Sequence, residues 1–241
     1  DFRPELTSYK VDGIHTPHID RLAAKGLRFD AAYCQYPVCN PSRASLLTGL
    51  RPETLGILSN TEALRQEWPD LVTLPQLFRD HGYFTAGLGK IFHKGLDPDG
   101  KPTLFRDDIS FEHTYIAHGS EPKMGREGQG RFLGDGTVKW AQWLAAEGGD
   151  TAQADGMIAE EAVRLLKEER DQPFFIGVGF HKPHDPFIAP KEYFELYPPE
   201  EITLANDPAD RSPLLRDALP KAYNFPTFTD QDRREFKRAY Y

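Results

Sequence analysis

Apolar residues in the first part of the chain change from helical spacing to a short run that is typical of a strand. Thr16 and Pro17 suit the N-cap and the first residue of a helix, because threonine caps helices and proline is favoured at their first position. Gly26 fits the position just after the helix end. The apolar run LRFDAAY at 27–33 then predicts a strand.

Two further stretches repeat this order of helix and strand. Thr73 begins a short helix that Gly82 ends, and 83–89 predicts the strand that follows. A longer helix begins near Asp155 and leads into 173–180, a continuous apolar run that predicts a strand buried on both faces. The repetition predicts an α/β fold in which helices flank a central, mostly parallel sheet.

The length of 241 residues suits one substantial domain. Residues 94–150 are rich in Gly, Pro and Asp with little periodicity, and we expect an irregular surface excursion within that domain. The chain starts at Asp1 without methionine and stops in an amphipathic run without a helix stop signal. We therefore expect residues 1–241 to be the incomplete, N-terminal portion of a longer protein.

Charge and hydropathy limit which binding partners and which cellular location we expect for the protein. The net charge is −8, with acidic and basic residues interspersed, so we expect no nucleic-acid partner. No apolar run reaches the length of about 18 residues that a membrane span needs, so we expect no membrane partner. The sequence contains no N-x-S/T acceptor for N-glycosylation. This favours an exported bacterial protein, periplasmic or extracellular, over a lysosomal one.

Residues that can bind anions, transfer protons or act as nucleophiles follow the predicted strands. Lys90 and His93 follow the second strand, and His181 and His184 follow the third. Cys39 comes a few residues after the first strand. Because the loops beyond the carboxyl ends of parallel strands meet at one edge of the sheet, we expect a functional site there.

Cys39 lies just ahead of a predicted helix over 42–50. A helix N-terminus favours anions, so it would depress the pKa of a thiol or hold an oxyanion. Arg43, one turn further on, could clamp the oxygens of an anionic substrate. These residues predict a nucleophile that acts on an anion, although a structural thiol fits them equally well.

The segment CNPSRASLLTG at 39–49 resembles the signature of the type I sulfatases, in which the cysteine is oxidised to formylglycine. The segments 16–35, 87–95 and 174–198 are similar to the iduronate-2-sulfatase branch of that family. The resemblance covers most of the chain outside 94–150. It implies an alkaline-phosphatase-like α/β fold that binds one Ca²⁺ ion and cleaves sulfate monoesters on sugars.

The resemblance also implies roles for single residues. In the family the aldehyde is hydrated, one hydroxyl attacks sulfur, and the other later expels sulfate. Cys39 would be the precursor, and Arg43 would steady the diol. Lys90 and His93 match the lysine that binds sulfate and the histidine bonded to the diol. His181 matches the histidine that contacts the sulfate or the leaving oxygen.

The resemblance gives weaker support for a functional role at three further positions. Lys182 and His184 could line the substrate pocket, or they could simply shape their loop. Asp1 matches one of two adjacent aspartates that bind Ca²⁺ in the family, where the modified Cys39 is also a metal ligand.

The sequence thus predicts a calcium-dependent, formylglycine-type sulfatase that acts on uronate-containing sulfated glycans. The expected partners are a sulfated saccharide, a formylglycine-generating maturation enzyme and the remaining C-terminal segment of the same enzyme. One alternative is a phosphonate or phosphate monoester hydrolase of the same superfamily. The other is a non-catalytic protein that binds sulfated glycans.

Overall fold

The structure is a computed structural model that describes residues 5–96, 99–117, 127–168, 170–205 and 227–241. Asp1, the predicted calcium ligand, lies outside the described residues. The described residues divide into two compact units. Unit I lies within 22–124 and 151–181, and unit II lies within 1–21, 125–150 and 182–241.

The helices and strands of the described residues are short, apart from α6 and α8. The α-helices are α1 (Pro17–Lys25), α2 (Cys39–Thr48), α3 (Pro52–Leu55), α4 (Leu64–Glu67), α5 (Leu74–Asp80), α6 (Ala154–Lys167), α7 (Lys191–Glu195) and α8 (Asp230–Tyr240). The strands are β1 (Phe84–Gly89), β2 (Lys94–Leu96), β3 (Pro102–Leu104), β4 (His113–Tyr115), β5 (Gly128–Phe132), β6 (Gln142–Ala146), β7 (Phe174–Gly179) and β8 (Phe187–Pro190). None of the helices in the described ranges is both long and apolar enough to cross a membrane.

Unit I contains a parallel sheet in the order β4-β1-β7. β1 and β7 pair along their whole length, from Phe84 opposite Phe174 to Gly89 opposite Gly179. The two strands therefore end at the same level, and the loops that follow them start side by side. The predicted parallel sheet and the strands at 83–89 and 173–180 are confirmed.

Helices cover both faces of this sheet. α6 packs Ile158 and Leu165 against Leu88 of β1, and Ile176 joins the same cluster. Phe175, the preceding residue of β7, packs against a second cluster that includes residues of α2, α3 and α4. Neighbouring residues of a strand point to opposite faces, so the two clusters lie on opposite sides of the sheet.

The caps of α5 form as predicted. The side chain of Thr73 accepts a hydrogen bond of 3.3 Å from the backbone nitrogen of Gln76. After the helix, Gly82 adopts a left-handed φ of 79°, which glycine tolerates without strain. The polypeptide can therefore turn directly from α5 into β1.

Two predictions for the strands are wrong. Residues 27–33 do not form a strand, and the side chains of Leu27, Phe29 and Tyr33 are 80%, 70% and 86% exposed. No strand of the described residues pairs with this run, so its apolar pattern has no sheet to join. β7 is not the fully buried strand that we predicted, because Phe174 and Val178 are 48% and 39% exposed. β1 is its only neighbour in the described sheet, so its other edge is unpaired there.

Residues 94–150 are more regular in their described part than we expected. They contain the antiparallel pair β2 and β3, the sheet strand β4, and the antiparallel pair β5 and β6. Three of these strands have only three residues each. Strands that short show no clear alternation in the sequence, which explains why the sequence pattern gave no sign of them.

Unit II is built on a mixed sheet in the order β5-β6-β8. Trp143 of β6, Phe187 of β8 and Phe194 of α7 form its core. α8 joins this unit through Arg131 of β5, which forms ion pairs with two acidic residues of the helix, Asp232 and Glu235.

Candidate active site

Cys39 is the first residue of α2, and Val38 is the N-cap. The helix begins earlier than the predicted 42–50, so the thiol lies within the first turn instead of just before it. Gly49 ends the helix in a left-handed conformation, as predicted. The half-buried side chain of Cys39 thus lies at the positive end of a ten-residue helix, where negative charge is favoured.

Lys90 brings a positive charge to this thiol. It follows the last residue of β1, is only 5% exposed, and places its Nζ atom 3.9 Å from Sγ of Cys39. An ammonium this close to residue 39 can bind an anionic group attached to it. The predicted proximity of Cys39 and Lys90 is present in the structure.

Arg43 fixes the loop that carries Lys90. Its Nη1 atom donates hydrogen bonds to the backbone oxygens of Lys90, at 2.5 Å, and Ile91, at 3.2 Å. Burial lowers the pKa of Arg43 from its ordinary value, and the charge of Cys39 opposes this shift. An arginine remains protonated at physiological pH, so the guanidinium adds a second positive charge next to α2.

Two glycines allow β1, β7 and α6 to approach closely at this edge. A Cβ atom at Gly89 would lie 2.3 Å from the backbone oxygen of Gly179 and 2.5 Å from Cδ1 of Ile158. A Cβ atom at Gly179 would lie 2.3 Å from the backbone oxygen of Lys90. Side chains at these positions would push apart the loops that carry Lys90 and His181.

His181 is held by the first turn of α6. Asp155 Oδ1 accepts a hydrogen bond of 2.8 Å from the backbone nitrogen of His181 and lies 3.2 Å from its Nδ1 atom. The Nε2 atom of His181 is buried and has no hydrogen-bond partner within the described ranges. Because a carboxylate only accepts hydrogen bonds, Nδ1 carries a proton and Nε2 remains available to a ligand.

Phe105 connects the remaining predicted residues. Its ring centroid lies 5.1 Å from the ring of His181 and 6.3 Å from the ring of His93. Nζ of Lys90 lies 5.6 Å from the same centroid. The structure therefore brings Cys39, Lys90, His93 and His181 into one cluster in unit I.

Asp155 and Phe105 belong to the cluster but were not among the predicted site residues. Asp155 is an acidic residue in the first turn of a predicted helix, which has an ordinary structural explanation. Its position near the N-terminus of the helix that precedes β7 is a signal that could have been used. Phe105 follows a three-residue strand in a segment without periodicity, and no sequence signal indicated it.

Asn40, the residue after Cys39 in CNPSR, is buried and connects α2 to the turn at 59–62. Its backbone nitrogen donates a hydrogen bond of 3.0 Å to Oδ1 of Asn60. Its Nδ2 atom donates to the backbone oxygens of Ser59, at 2.9 Å, and Glu62, at 2.7 Å. These three bonds fix the backbone next to Cys39.

Lys182 and His184 belong to unit II, and each makes hydrogen bonds within its own loop. Nζ of Lys182 donates to the backbone oxygens of His184, at 3.1 Å, and Pro186, at 2.6 Å. Nδ1 of His184 lies 2.7 Å from the backbone oxygen of Asp185. These bonds help to fix the loop, and a role for either residue in the substrate pocket stays a prediction.

A metal site is not complete within the described residues. They contain no group of three or more His, Cys, Asp or Glu side chains that could hold a metal ion. Calcium takes about six to eight oxygen ligands, mainly from carboxylates and carbonyls. The described residues alone therefore do not fit a calcium ion.

The cluster can bind and polarise a tetrahedral oxyanion next to residue 39. Positive charge comes from Lys90, from Arg43 and from the N-terminal end of α2, while Nε2 of His181 can exchange a proton. These features define an α/β protein with a cluster of positive charge at the carboxyl edge of a parallel sheet.

The chain belongs to the sulfatase family. The family model described as Sulfatase matches residues 2–234. Iduronate 2-sulfatase from Mus musculus is 36% identical over 236 residues, which cover 93% of this chain and 40% of the mouse protein. A sulfatase from Formosa agariphila is 34% identical over 200 residues, which cover 78% of this chain and 38% of that protein. The chain thus spans about 40% of the length of these curated relatives.

Solved structures share the fold. The crystal structure of a phosphonate monoester hydrolase of Agrobacterium radiobacter matches 98% of this chain and 53% of its own, with a TM-score of 0.73 and 21% identity. A protein solved in complex with its substrate D-glucosamine-2-N,6-O-disulfate matches 85% of this chain and 36% of its own, with a TM-score of 0.58 and 25% identity. The predicted alkaline-phosphatase-like α/β fold is confirmed.

Proposed function

We propose that the protein hydrolyses sulfate monoesters on uronate-containing sulfated glycans. The main support is the contact between Lys90 and Cys39 at the N-terminus of α2, within a signature that resembles that of the type I sulfatases. The similarity to iduronate 2-sulfatase over most of the chain supports the uronate-containing substrate. The other expected partners are a maturation enzyme and the remaining segment of the protein, and we propose an exported location.

Conversion of Cys39 to formylglycine is part of this proposal. The thiol in the structure is the precursor of an aldehyde, whose hydrate supplies the hydroxyl that attacks sulfur. The surroundings suit that group, because the half-buried Cys39 is flanked by the ammonium of Lys90 and by the first turn of α2. Lys90 neutralises charge on the sulfate oxygens, and Arg43 keeps Lys90 in place through its backbone.

His181 provides the proton that the leaving alcohol needs. Asp155 orients its imidazole through Nδ1, and Nε2 is buried and available. An imidazolium at this position can donate its Nε2 proton to the departing sugar oxygen and so avoid a free alkoxide. His93, close to the same Phe105 ring, is proposed to contact the hydrated residue 39.

Of the calcium ligands in this proposal, only residue 39 lies in the described part of the chain. Asp1 and the modified residue 39 would be two ligands, and the other oxygens would come from outside the described residues. The described residues do not form this site alone. We therefore derive no step of the reaction from the metal.

Paired rates on an aryl sulfate and an aryl phosphate would test the proposal. Full-length protein, matured with a formylglycine-generating enzyme, should hydrolyse the sulfate with the larger kcat/KM. A larger value for the phosphate or a phosphonate would favour the hydrolase alternative. Binding of sulfated oligosaccharides without any turnover would favour the binding-protein alternative. Product analysis with defined uronate-containing oligosaccharides would then identify the sugar.

Lys90→Ala and His181→Ala should each lower kcat/KM on an aryl sulfate by about 10²-fold, the usual order for the loss of one transition-state partner. Lys90→Ala removes the charge next to residue 39, and His181→Ala removes the proton donor. Steady-state kinetics of the matured protein would measure both effects.

Matched control variants lie away from this edge of the sheet. Lys167, exposed in the last turn of α6, controls for the loss of a lysine, and His81, exposed just after α5, controls for the loss of a histidine. Lys167→Ala and His81→Ala should keep the parent kinetics. Parent kinetics in Lys90→Ala or His181→Ala would remove that residue from the proposed site.

A further inference from the structure

We propose that Phe105 is a positioning residue of the site, which holds the ammonium of Lys90 against residue 39 and packs the imidazole of His181 against Asp155. Its effect on turnover rests on the proposed function, whereas its effect on Lys90 does not.

The ring of Phe105 contacts three charged or titratable side chains. Nζ of Lys90 lies 5.6 Å from the ring centroid, within the range of a cation–π interaction. The rings of His181 and His93 meet it edge to face, at interplanar angles of 76° and 79°. An aromatic ring favours both arrangements through its quadrupole, which an aliphatic side chain of similar volume lacks.

The backbone at Phe105 is fixed by its surroundings. Its φ is +67°, a left-handed value that is strained for a residue with a side chain and persists only where neighbours impose it. Its backbone nitrogen donates a hydrogen bond of 3.2 Å to the oxygen of His93. A Cβ atom at Gly95 would lie 1.8 Å from the backbone oxygen of Arg106, so β2 and this turn are in very close contact.

A buried ion pair anchors the same turn two residues later. Asp107, whose side chain is fully buried, accepts a hydrogen bond of 3.0 Å from Nη2 of Arg65. The ring of Phe105 is thus placed by contacts on both sides of it in the sequence. This is the arrangement expected of a residue that positions others, because backbone contacts and the buried ion pair place it without help from the side chains that pack on its ring.

Residue 39 offers a direct readout of Lys90 that does not require sulfatase activity. Protein made without a maturation enzyme keeps the thiol, which intact mass can verify. Its alkylation by iodoacetamide responds to the charge and packing next to the sulfur, and so to the position of the Lys90 ammonium 3.9 Å away. Peptide mapping separates Cys39 from Cys34, and the exposed Cys34 serves as an internal reference in every sample.

Phe105→Leu should slow alkylation of Cys39 by about 3- to 10-fold relative to Cys34, the range that a cation–π contact of about 1 kcal/mol implies. Lys90→Met should slow it at least as much, and the double variant should show no further decrease, because both changes act through the same ammonium. An unchanged rate in Phe105→Leu, or an effect of equal size in the Lys90→Met background, would overturn the positioning role.

Kinetics of the matured protein complete the test. Phe105→Leu should lower kcat by about 10-fold and change KM little, while Phe105→Tyr, which keeps the ring, should retain most of the activity. Phe132→Leu is the matched control, since it removes a comparable contact with Lys139, at 5.4 Å, in unit II. Equal losses of kcat in Phe105→Leu and Phe105→Tyr would contradict the proposal. So would a loss of kcat in Phe105→Leu that is fully explained by unfolding of the variant at the assay temperature. If no variant or parent hydrolyses sulfate, the proposed function fails, while the alkylation result still decides the role of Phe105.

Discussion

Cys39→Ala is expected to abolish hydrolysis of an aryl sulfate and to leave the fold intact. Without the thiol there is no precursor for the aldehyde, and the charges of Lys90 and Arg43 then surround a side chain that cannot attack sulfur. Cys39 is only half-buried at the start of α2, so the change removes little core volume. Turnover and thermal unfolding of the full-length variant would measure the two effects separately.

Cys34→Ala is the matched control for this prediction. Cys34 is also a free cysteine, it is exposed, and it lies outside the cluster around Phe105. This variant should keep parent activity, and peptide mapping of the parent should find an aldehyde at residue 39 and a thiol at residue 34. Parent activity in Cys39→Ala would rule out the proposed nucleophile.

The long amphipathic and apolar stretches of the sequence were sufficient to predict the main helices and strands that position the site. β1, β7, α5 and α6 occur where their patterns predict them, because each is long enough or well enough capped to show its period. Parallel pairing of β1 and β7 then places Lys90 and His181 at one edge of the sheet. That part of the site follows from local patterns and from the topology of α/β sheets.

Other parts of the structure depend on contacts that no local pattern records. The run at 27–33 has strand-like residues, but a strand also needs a neighbour, and none of the described strands pairs with it. Phe105 follows a strand of three residues and adopts a left-handed backbone that is rare for residues other than glycine. The pairing of Asp155 with His181 joins residues 26 positions apart and depends on how α6 packs on the sheet.

The turn that carries Phe105 depends on one of the most deeply buried ion pairs in the described part of the chain. The side chains of Arg65 and Asp107 are 1% and 0% exposed, respectively. Arg65 also donates to the backbone oxygen of Leu71, at 2.6 Å, and to Oε1 of Gln76, at 2.9 Å. Ser110 donates a further hydrogen bond to Asp107. The pair therefore connects α4, the start of α5 and the turn after β3.

Asp107→Ala is expected to lower the free energy of unfolding by about 3 to 5 kcal/mol, because removal of one partner leaves the guanidinium of Arg65 buried without its counter-charge. The adjacent Asp108→Ala should cost no more than about 1 kcal/mol, since its ion pair with Arg106 is partly exposed. Chemical denaturation of both variants and the parent would measure the difference. Arg65→Met combined with Asp107→Leu should be less destabilised than Asp107→Ala, because the apolar pair leaves no buried charge. The alkylation assay should also respond to Asp107→Ala, measured at a temperature where this variant is folded. The loosened turn would no longer hold the ring of Phe105 against Lys90, so alkylation of Cys39 should slow as it does in Phe105→Leu. Equal stability of Asp107→Ala and Asp108→Ala would show that the buried pair does not hold this turn in place.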